Sequence, residues 1–377
     1  MNPIRLITAA LLVSSNANGA EPQRPDDGGI QQWTLRSGTV IDAYFVSMSS
    51  RQVKLSKGIE ERIISAEDLS PEGVEQAAEL AKVIHIYQRV REGTFDMGSK
   101  DSEPGRAANE TYRPVETSPF SIKATEVTWC EWNRVREHGK VNGYFDLSAG
   151  GNGMDGADAD LNPVVEVSWW DALKWCNLKS QIESRKPCYR VKNTTGKDEI
   201  FKTGTAVVTC DWKADGYRLP TEAEWEFACR TRNSRWTFHT GQISDTGVQP
   251  VDRNMDQAGW FAGNSEGKPH PVALKRPNAF KLHDMHGNAA EWCWDNYTNS
   301  LGTTEAIDPK GPASGDHRVV RGGSWNNPAA NCRAASRASL SPGSKRNTVG
   351  FRIVIGSGPA PEPDPIRDSR TRPRQRR

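Results

Sequence analysis

Apolar and polar positions alternate in strand fashion only near the start of the chain. Trp33-Thr-Leu-Arg-Ser-Gly-Thr-Val-Ile-Asp-Ala-Tyr-Phe-Val46 alternates around a Ser37-Gly38 turn, and Gln52–Leu55 and Glu61–Ile64 supply two more short runs. Strands this close together predict a small β barrel over residues 30–69. Ser70-Pro71 then opens a helical pattern, since proline suits a first helical turn. Ala77, Leu80, Ala81, Ile84 and Tyr87 recur at helical spacing, so a linking helix is expected over 70–91. Farther on, Thr128-Trp-Cys-Glu131, Ser168-Trp-Trp-Asp171 and Thr221-Glu-Ala-Glu224 each fit or nearly fit a capping box. The short helices they start should carry Trp132, Trp169, Trp175, Trp225 and Phe227 into a core. Ser148–Asp160 and Gly241–Pro271 are long and irregular, and loops of that length need a function, an ion or an irregular fold to account for them.

Composition sharpens this picture. Only 36% of the 377 residues are apolar, but 13 are Trp, with 33 Gly and 23 Pro. A loop-rich α+β fold pinned by large aromatic side chains follows, rather than a helical bundle. The net charge of +2 gives no argument for a nucleic-acid partner. Met1–Ala20 reads as a signal peptide, with Arg5 as its positive end, Leu6–Val13 as its apolar run and Ala17–Ala20 as small residues for cleavage. That run is too short for a permanent membrane anchor, so a secreted or periplasmic protein without a transmembrane anchor is expected. Residues 21–29 read as a linker. The tail, 357–377, combines an extended Pro-rich segment with an Arg-rich end, either a solvated tail or a contact for an anionic surface.

Export permits disulfides. The seven cysteines form no CxxC and no zinc-type spacing, and an odd count leaves at least one thiol unpaired in a monomer. Cys188 and Cys210 lie in one insertion, and a bridge there would stabilise by roughly 3 kcal/mol in the chain-entropy picture. Cys176, on the Trp-Cys-Asn helix, reads as buried and inert.

Seven motifs follow in order between Gly93 and Arg352: Gly93-Thr-Phe-Asp-Met-Gly-Ser99, Glu126-Val-Thr128, Pro163-Val-Val-Glu-Val-Ser-Trp169, Tyr217-Arg-Leu-Pro-Thr-Glu-Ala-Glu-Trp-Glu226, Gly287-Asn-Ala-Ala-Glu-Trp292, Arg321-Gly-Gly-Ser-Trp325 and Gly350-Phe-Arg352. Together they resemble the formylglycine-generating enzyme family, also called sulfatase-modifying factors. The resemblance implies a variant of the C-type lectin fold over 92–356, with few regular elements. Residues 30–69 resemble the SH3-like homology domain of an actin-patch adaptor, which implies a binding or spacing module.

The resemblance also implies a chemistry, the oxygen-dependent oxidation of a protein cysteine to formylglycine by two copper-binding cysteines just after Gly-Gly-Ser. Cys332, eight residues after Ser324, falls at the second of these on that count, whereas counting back from the Arg-x-Ala-x-x-Arg run shifts the placement by a few residues. Asn327 stands at the first. Copper(I) wants two soft thiolates, so copper is not expected here, and Cys332 and Ser324 remain the catalytic candidates. Cys332 could instead be bridged, with Cys293 as the natural partner and Cys229 as the alternative. Trp325, Asn327, Arg321, Arg333 and Arg337 could line a pocket for an anionic or peptide ligand; the arginines, with Arg352, could equally pin loops through Glu224 or Glu226. By resemblance calcium is held by the side chains of Asp284 and Glu291 and the backbone oxygens of Gly287 and Ala289; a capped turn with solvated carboxylates is the simpler alternative. His270, His283 and His286 read as hydrogen-bonding or surface residues. Two functions compete: an exported oxidising member of the family, and a non-catalytic C-type-lectin-like protein that binds a protein, peptide or glycan ligand.

Overall fold

The computed structural model describes residues 31–48, 51–57, 60–83, 86–153, 160–231 and 236–355. The expected signal peptide, the following linker and the Arg-rich tail lie outside them. No described helix is long and apolar enough to cross a membrane.

The first strands, Gln31–Thr34, Val40–Met48, Gln52–Lys57 and Glu60–Ser65, pair consecutively and antiparallel. Within the described residues the four strands form a meander, and the end of the first strand meets the segment after the fourth at a Leu35–Leu69 bridge. Its inner face buries Trp33, Phe45, Val53, Leu55 and Ile64, as the alternation required. Cys130 and Val272 of the larger domain join the same apolar cluster. Gln31 fixes the docking: its amide donates to the Cys130 sulfur and to Asp160, both at 3.0 Å, while its oxygen accepts from the Phe45 N–H.

The helix after this sheet spans Pro71–Val83, shorter than the 70–91 expected. Tyr87–Val90 is instead a strand paired with Phe120–Lys123. The Tyr87 ring packs 5.8 Å from Tyr217, so tertiary contacts decide its conformation over the local helical spacing.

The larger domain is α+β, built from small sheets and short helices. One sheet orders Tyr217–Arg218, Val354–Ile355, Phe120–Lys123 and Tyr87–Val90. A second orders Arg337–Leu340, Arg318–Arg321, Ala290–Asn296 and Val349–Gly350, the last pair parallel. The helices Trp129–Glu137, Trp169–Ile182 and Glu222–Arg230 all begin with complete capping boxes, at Thr128, Ser168 and Thr221. The first two deliver Trp132, Trp169 and Trp175 to one apolar cluster, and the third delivers Trp225 and Phe227 to a second. Trp132 and Trp175 lie nearly parallel at 6.1 Å, and Phe351 meets both edge-on. The buried indole N–H groups find backbone acceptors: Trp169 donates to the Cys293 carbonyl and Trp292 to that of Val167.

Candidate functional site

The strand Arg318–Arg321 runs into Gly322-Gly323, and both glycines have positive φ (89° and 67°). A Cβ on Gly323 would sit 2.7 Å from the Cys332 sulfur and the Asn331 carbonyl. The turn must therefore be glycine, because the chain folds back onto the short 3-10 helix Ala329–Cys332. Ser324 and Asn327 close it. The Asn327 side-chain oxygen accepts from the Ser324 N–H (3.0 Å) and from the Ser324 hydroxyl (2.8 Å). The Asn327 carbonyl accepts from Ala262, and Trp325 is held by Asn288, Ser265 and the Asn347 carbonyl.

Cys332 is fully buried, with its sulfur against the Ser324 carbonyl at 4.0 Å. Burial pushes its thiol up to about 12, so it is held as a neutral thiol at pH 7 rather than as the thiolate that reacts or binds metal. Ser324 is buried too, and its hydroxyl is spent on Asn327. Behind the turn, the His286 Nδ1–H donates to the Cys332 carbonyl at 2.8 Å, and its Nε2 accepts from the His239 N–H and faces the Cys229 sulfur at 3.6 Å. Burial lowers His286 to about 3, the His239 charge adding to it, so the ring is a neutral spacer. The opening beside the turn, bordered by Gly323, Asn327 and Asn331, measures about 60 Å³, well below the ~300 Å³ at which small-molecule pockets begin. A shallower cleft of about 300 Å³ lies in the N-terminal sheet between Leu35–Ser37 and Arg62–Asp68.

Of the residues expected to line a pocket, the three arginines do not. Arg321 donates to Glu226 and to the Ala334, Ala335 and Ser336 carbonyls. Arg333 is clamped by Glu110 and Glu103, at 2.6 Å to each. Arg337 makes a two-pronged pair with Glu222 at 2.6 and 2.8 Å. All three are buried and pinned, which is the loop-anchoring alternative, though the carboxylates are Glu226, Glu110, Glu103 and Glu222. Glu224 instead caps its helix and pairs with Arg218.

Of the side chains expected to hold calcium, Glu291 is already engaged within the protein and Asp284 only in part. Both Glu291 oxygens are taken, by Arg352 at 2.6–2.9 Å and by the Trp225 indole N–H at 2.7 Å. One Asp284 oxygen accepts from Ala273, while the other, like one oxygen of Glu126, is buried without a partner. No described group of three or more His, Cys, Asp or Glu is arranged to hold a metal ion. Gly287 must be glycine for packing: its φ is +83°, and a Cβ there would lie 2.0 Å from the Trp260 carbonyl.

All seven cysteines are free thiols. Cys188 and Cys210 do come together, Cys188 just before the strand Tyr189–Lys192 that pairs with Thr209–Cys210, within thiol hydrogen-bonding reach of each other but unbridged. Cys293 and Cys332 belong to different core clusters, which is why that expected pair does not form. His270 stacks on Trp260 at 3.7 Å and His283 bonds to the Lys275 carbonyl, both structural. Sequence reasoning named Glu226 as a possible anchor, which pairs with Arg321 across 95 residues, but missed Glu222, which pairs with Arg337 across 115. It also missed the partly exposed indoles Trp170, Trp212 and Trp294, linked through Trp169, and Arg318, which lies against Trp169 and Trp294.

The family described as the sulfatase-modifying factor enzyme 1-like domain matches residues 75–356. The chain is 30% identical over 285 residues to the formylglycine-generating enzyme of Bos taurus, covering 70% of this chain and 72% of that one. It is 31% identical over 310 residues to the formylglycine-generating enzyme of Streptomyces coelicolor, covering 73% and 91%. Among solved structures it resembles Treponema denticola variable protein 1, at 30% identity and a TM-score of 0.59, over 71% of this chain and 94% of that one.

Proposed function

The chain belongs to the sulfatase-modifying factor family of formylglycine-generating enzymes, and we propose that within it this protein is an exported binding protein that does not carry out the copper-dependent thiol oxidation. One observation carries this reading. Where the family resemblance calls for a thiol, Asn327 folds its amide back onto Ser324. The remaining candidate, Cys332, is a fully buried neutral thiol.

The residues do not fit copper. A copper(I) centre needs two soft thiolates it can reach; an amide oxygen already engaged in two hydrogen bonds is neither soft nor free. The resident thiol would have to ionise against its burial, and the neighbouring His286, neutral and bonded to a carbonyl, supplies no positive charge to help it. The Gly-Gly-Ser turn is then a rigid wall that keeps the family's scaffold intact. Export follows from the reading of Met1–Ala20. The N-terminal sheet, which resembles an SH3-like module, adds a second contact surface or a spacer.

The test is turnover. The purified mature protein is incubated with copper(I), oxygen and a cysteine-containing sulfatase peptide, and the peptide is followed by mass spectrometry. The expected result is an unchanged peptide; conversion of its thiol to an aldehyde would overturn the reading.

A further inference from the structure

The strand Arg318–Arg321 carries an arginine at each end, and only Arg321 is neutralised. Residues three apart on a strand point to opposite faces. Arg318 therefore leaves the buried acidic array and emerges among aromatic rings, half-buried. Its guanidinium lies 3.6 Å from the centre of the Trp169 ring and 5.5 Å from that of Trp294. One Nη1–H donates to the Trp294 carbonyl at 2.7 Å. A guanidinium has five N–H donors, and among the described residues no carboxylate forms an ion pair with this one. Burial, opposed only in part by the Asp295 charge, lowers Arg318 to about 10. An anion brought to this face would relieve that cost.

The surroundings are built rather than accidental. Trp294 is backed by Tyr189, stacked at 5.5 Å, and met edge-on by Trp212 at 5.8 Å. Trp170 stands edge-on to Trp169 at 6.5 Å, and its indole N–H is tied to the Ala206 carbonyl. The exposed Lys310 ammonium lies 4.6 Å over the Trp212 ring, again with no ion pair among the described residues. Trp170 and Trp294 meet through the buried Trp169, Trp212 joins at the Trp294 edge, and Arg218, paired with Glu224, already lies 5.0 Å over the Trp212 ring. The partly exposed indole surface that remains lies next to Arg318 and Lys310, neither of which has an ion pair among the described residues. An acidic peptide would satisfy the cations and leave the indole faces without a flat partner. A sugar ring carrying a carboxylate or a sulfate uses both.

We propose that Trp170, Trp212, Trp294, Arg318 and Lys310 form a binding surface for an anionic saccharide, with the sugar ring on the indoles and its acidic group on Arg318. This rests on the reading of the chain as a binding protein, and it uses no residue of the Gly-Gly-Ser turn. The full chain is titrated calorimetrically with an unsulfated uronic-acid disaccharide from chondroitin, with its sulfated counterpart and with neutral lactose. One or both acidic sugars are expected to bind, at least about tenfold more tightly than lactose, since a charge-assisted hydrogen bond is worth about that much. Binding of both identifies negative charge as the determinant, and binding of the sulfated sugar alone identifies sulfate. Arg318→Gln is expected to weaken binding about tenfold and Lys310→Ala about threefold, while Asn331→Ala at the turn leaves it unchanged. Lys310 is exposed, so its variant tests the surface even if Arg318→Gln perturbs packing. Failure of both acidic sugars to bind, equal binding of lactose, or an unchanged affinity in Lys310→Ala would overturn the proposal. An unchanged peptide in the oxidation assay alongside absent sugar binding removes this surface alone; aldehyde formation removes the binding-protein reading itself.

Discussion

Arg321 and Arg318 share one strand but live in opposite electrostatic settings. Arg321 is fully buried, paired with Glu226 and bonded to three carbonyls, within an array that also holds Glu222, Arg230 and Arg337. Arg318 is half-buried beside two indoles and, among the described residues, has no ion-paired carboxylate. A buried charge that is fully paired holds the fold together and has nothing left to offer a ligand. A charge kept near the surface without a partner is costly unless something binds it. The contrast separates the part of the scaffold that is architecture from the part available for recognition, and it puts the family's signature turn on the architectural side.

The comparison breaks most readily at Glu226. Glu226→Ala strands both Arg321 and Arg230, so unfolding in urea should show a loss of about 3–5 kcal/mol; a loss under about 1 kcal/mol would mean the array does not anchor the strand. Thr221→Ala removes the capping box that starts the helix carrying Glu222, Glu224 and Glu226. It should cost about 1 kcal/mol by the same measurement. Arg318→Gln should cost about 1–2 kcal/mol, the worth of its cation–π contacts and one hydrogen bond. Equal losses for Arg318→Gln and Glu226→Ala would erase the distinction between the two ends.

Asp295 provides a pH test of the same region. Burial, reinforced by the Glu222 charge, raises its carboxyl to about 8, against about 4 in an unfolded chain. A raised folded value means that Asp295 contributes most below pH ~4, and that the contribution drains away as the pH rises toward ~8. Wild type should therefore lose stability relative to Asp295→Asn between pH 4 and 8, read from urea midpoints; parallel curves for the two proteins would refute the assignment. The smallest effect expected is from chelation. Because Arg352 and Trp225 occupy Glu291, EDTA should leave the melting temperature unchanged, and a clear drop would restore calcium at Asp284 and Glu291.

Local rules were legible in the sequence where they act over a few residues. The capping residues Thr128, Ser168 and Thr221, the strand alternation around Trp33 and Phe45, and the paired glycines of the turn could all be read directly. What could not be read depends on partners far along the chain. Arg333 meets Glu110 and Glu103 across 223 and 230 residues. Tyr87 left its helical pattern for a strand because Phe120–Lys123 was there to pair with it. Cys293 and Cys332 both border motifs of the family, yet the fold sends their side chains into separate clusters. The Arg318-Val-Val-Arg321 spacing did hold the sign that its two arginines face opposite ways, but not what either would meet.

The central claim is that the signature turn no longer handles copper, and copper(I) titration against a competing chelator tests it most directly. Wild type and Cys332→Ala are predicted to be indistinguishable, both losing the metal to the chelator. Tight one-to-one binding by the wild type that disappears in Cys332→Ala would contradict the account.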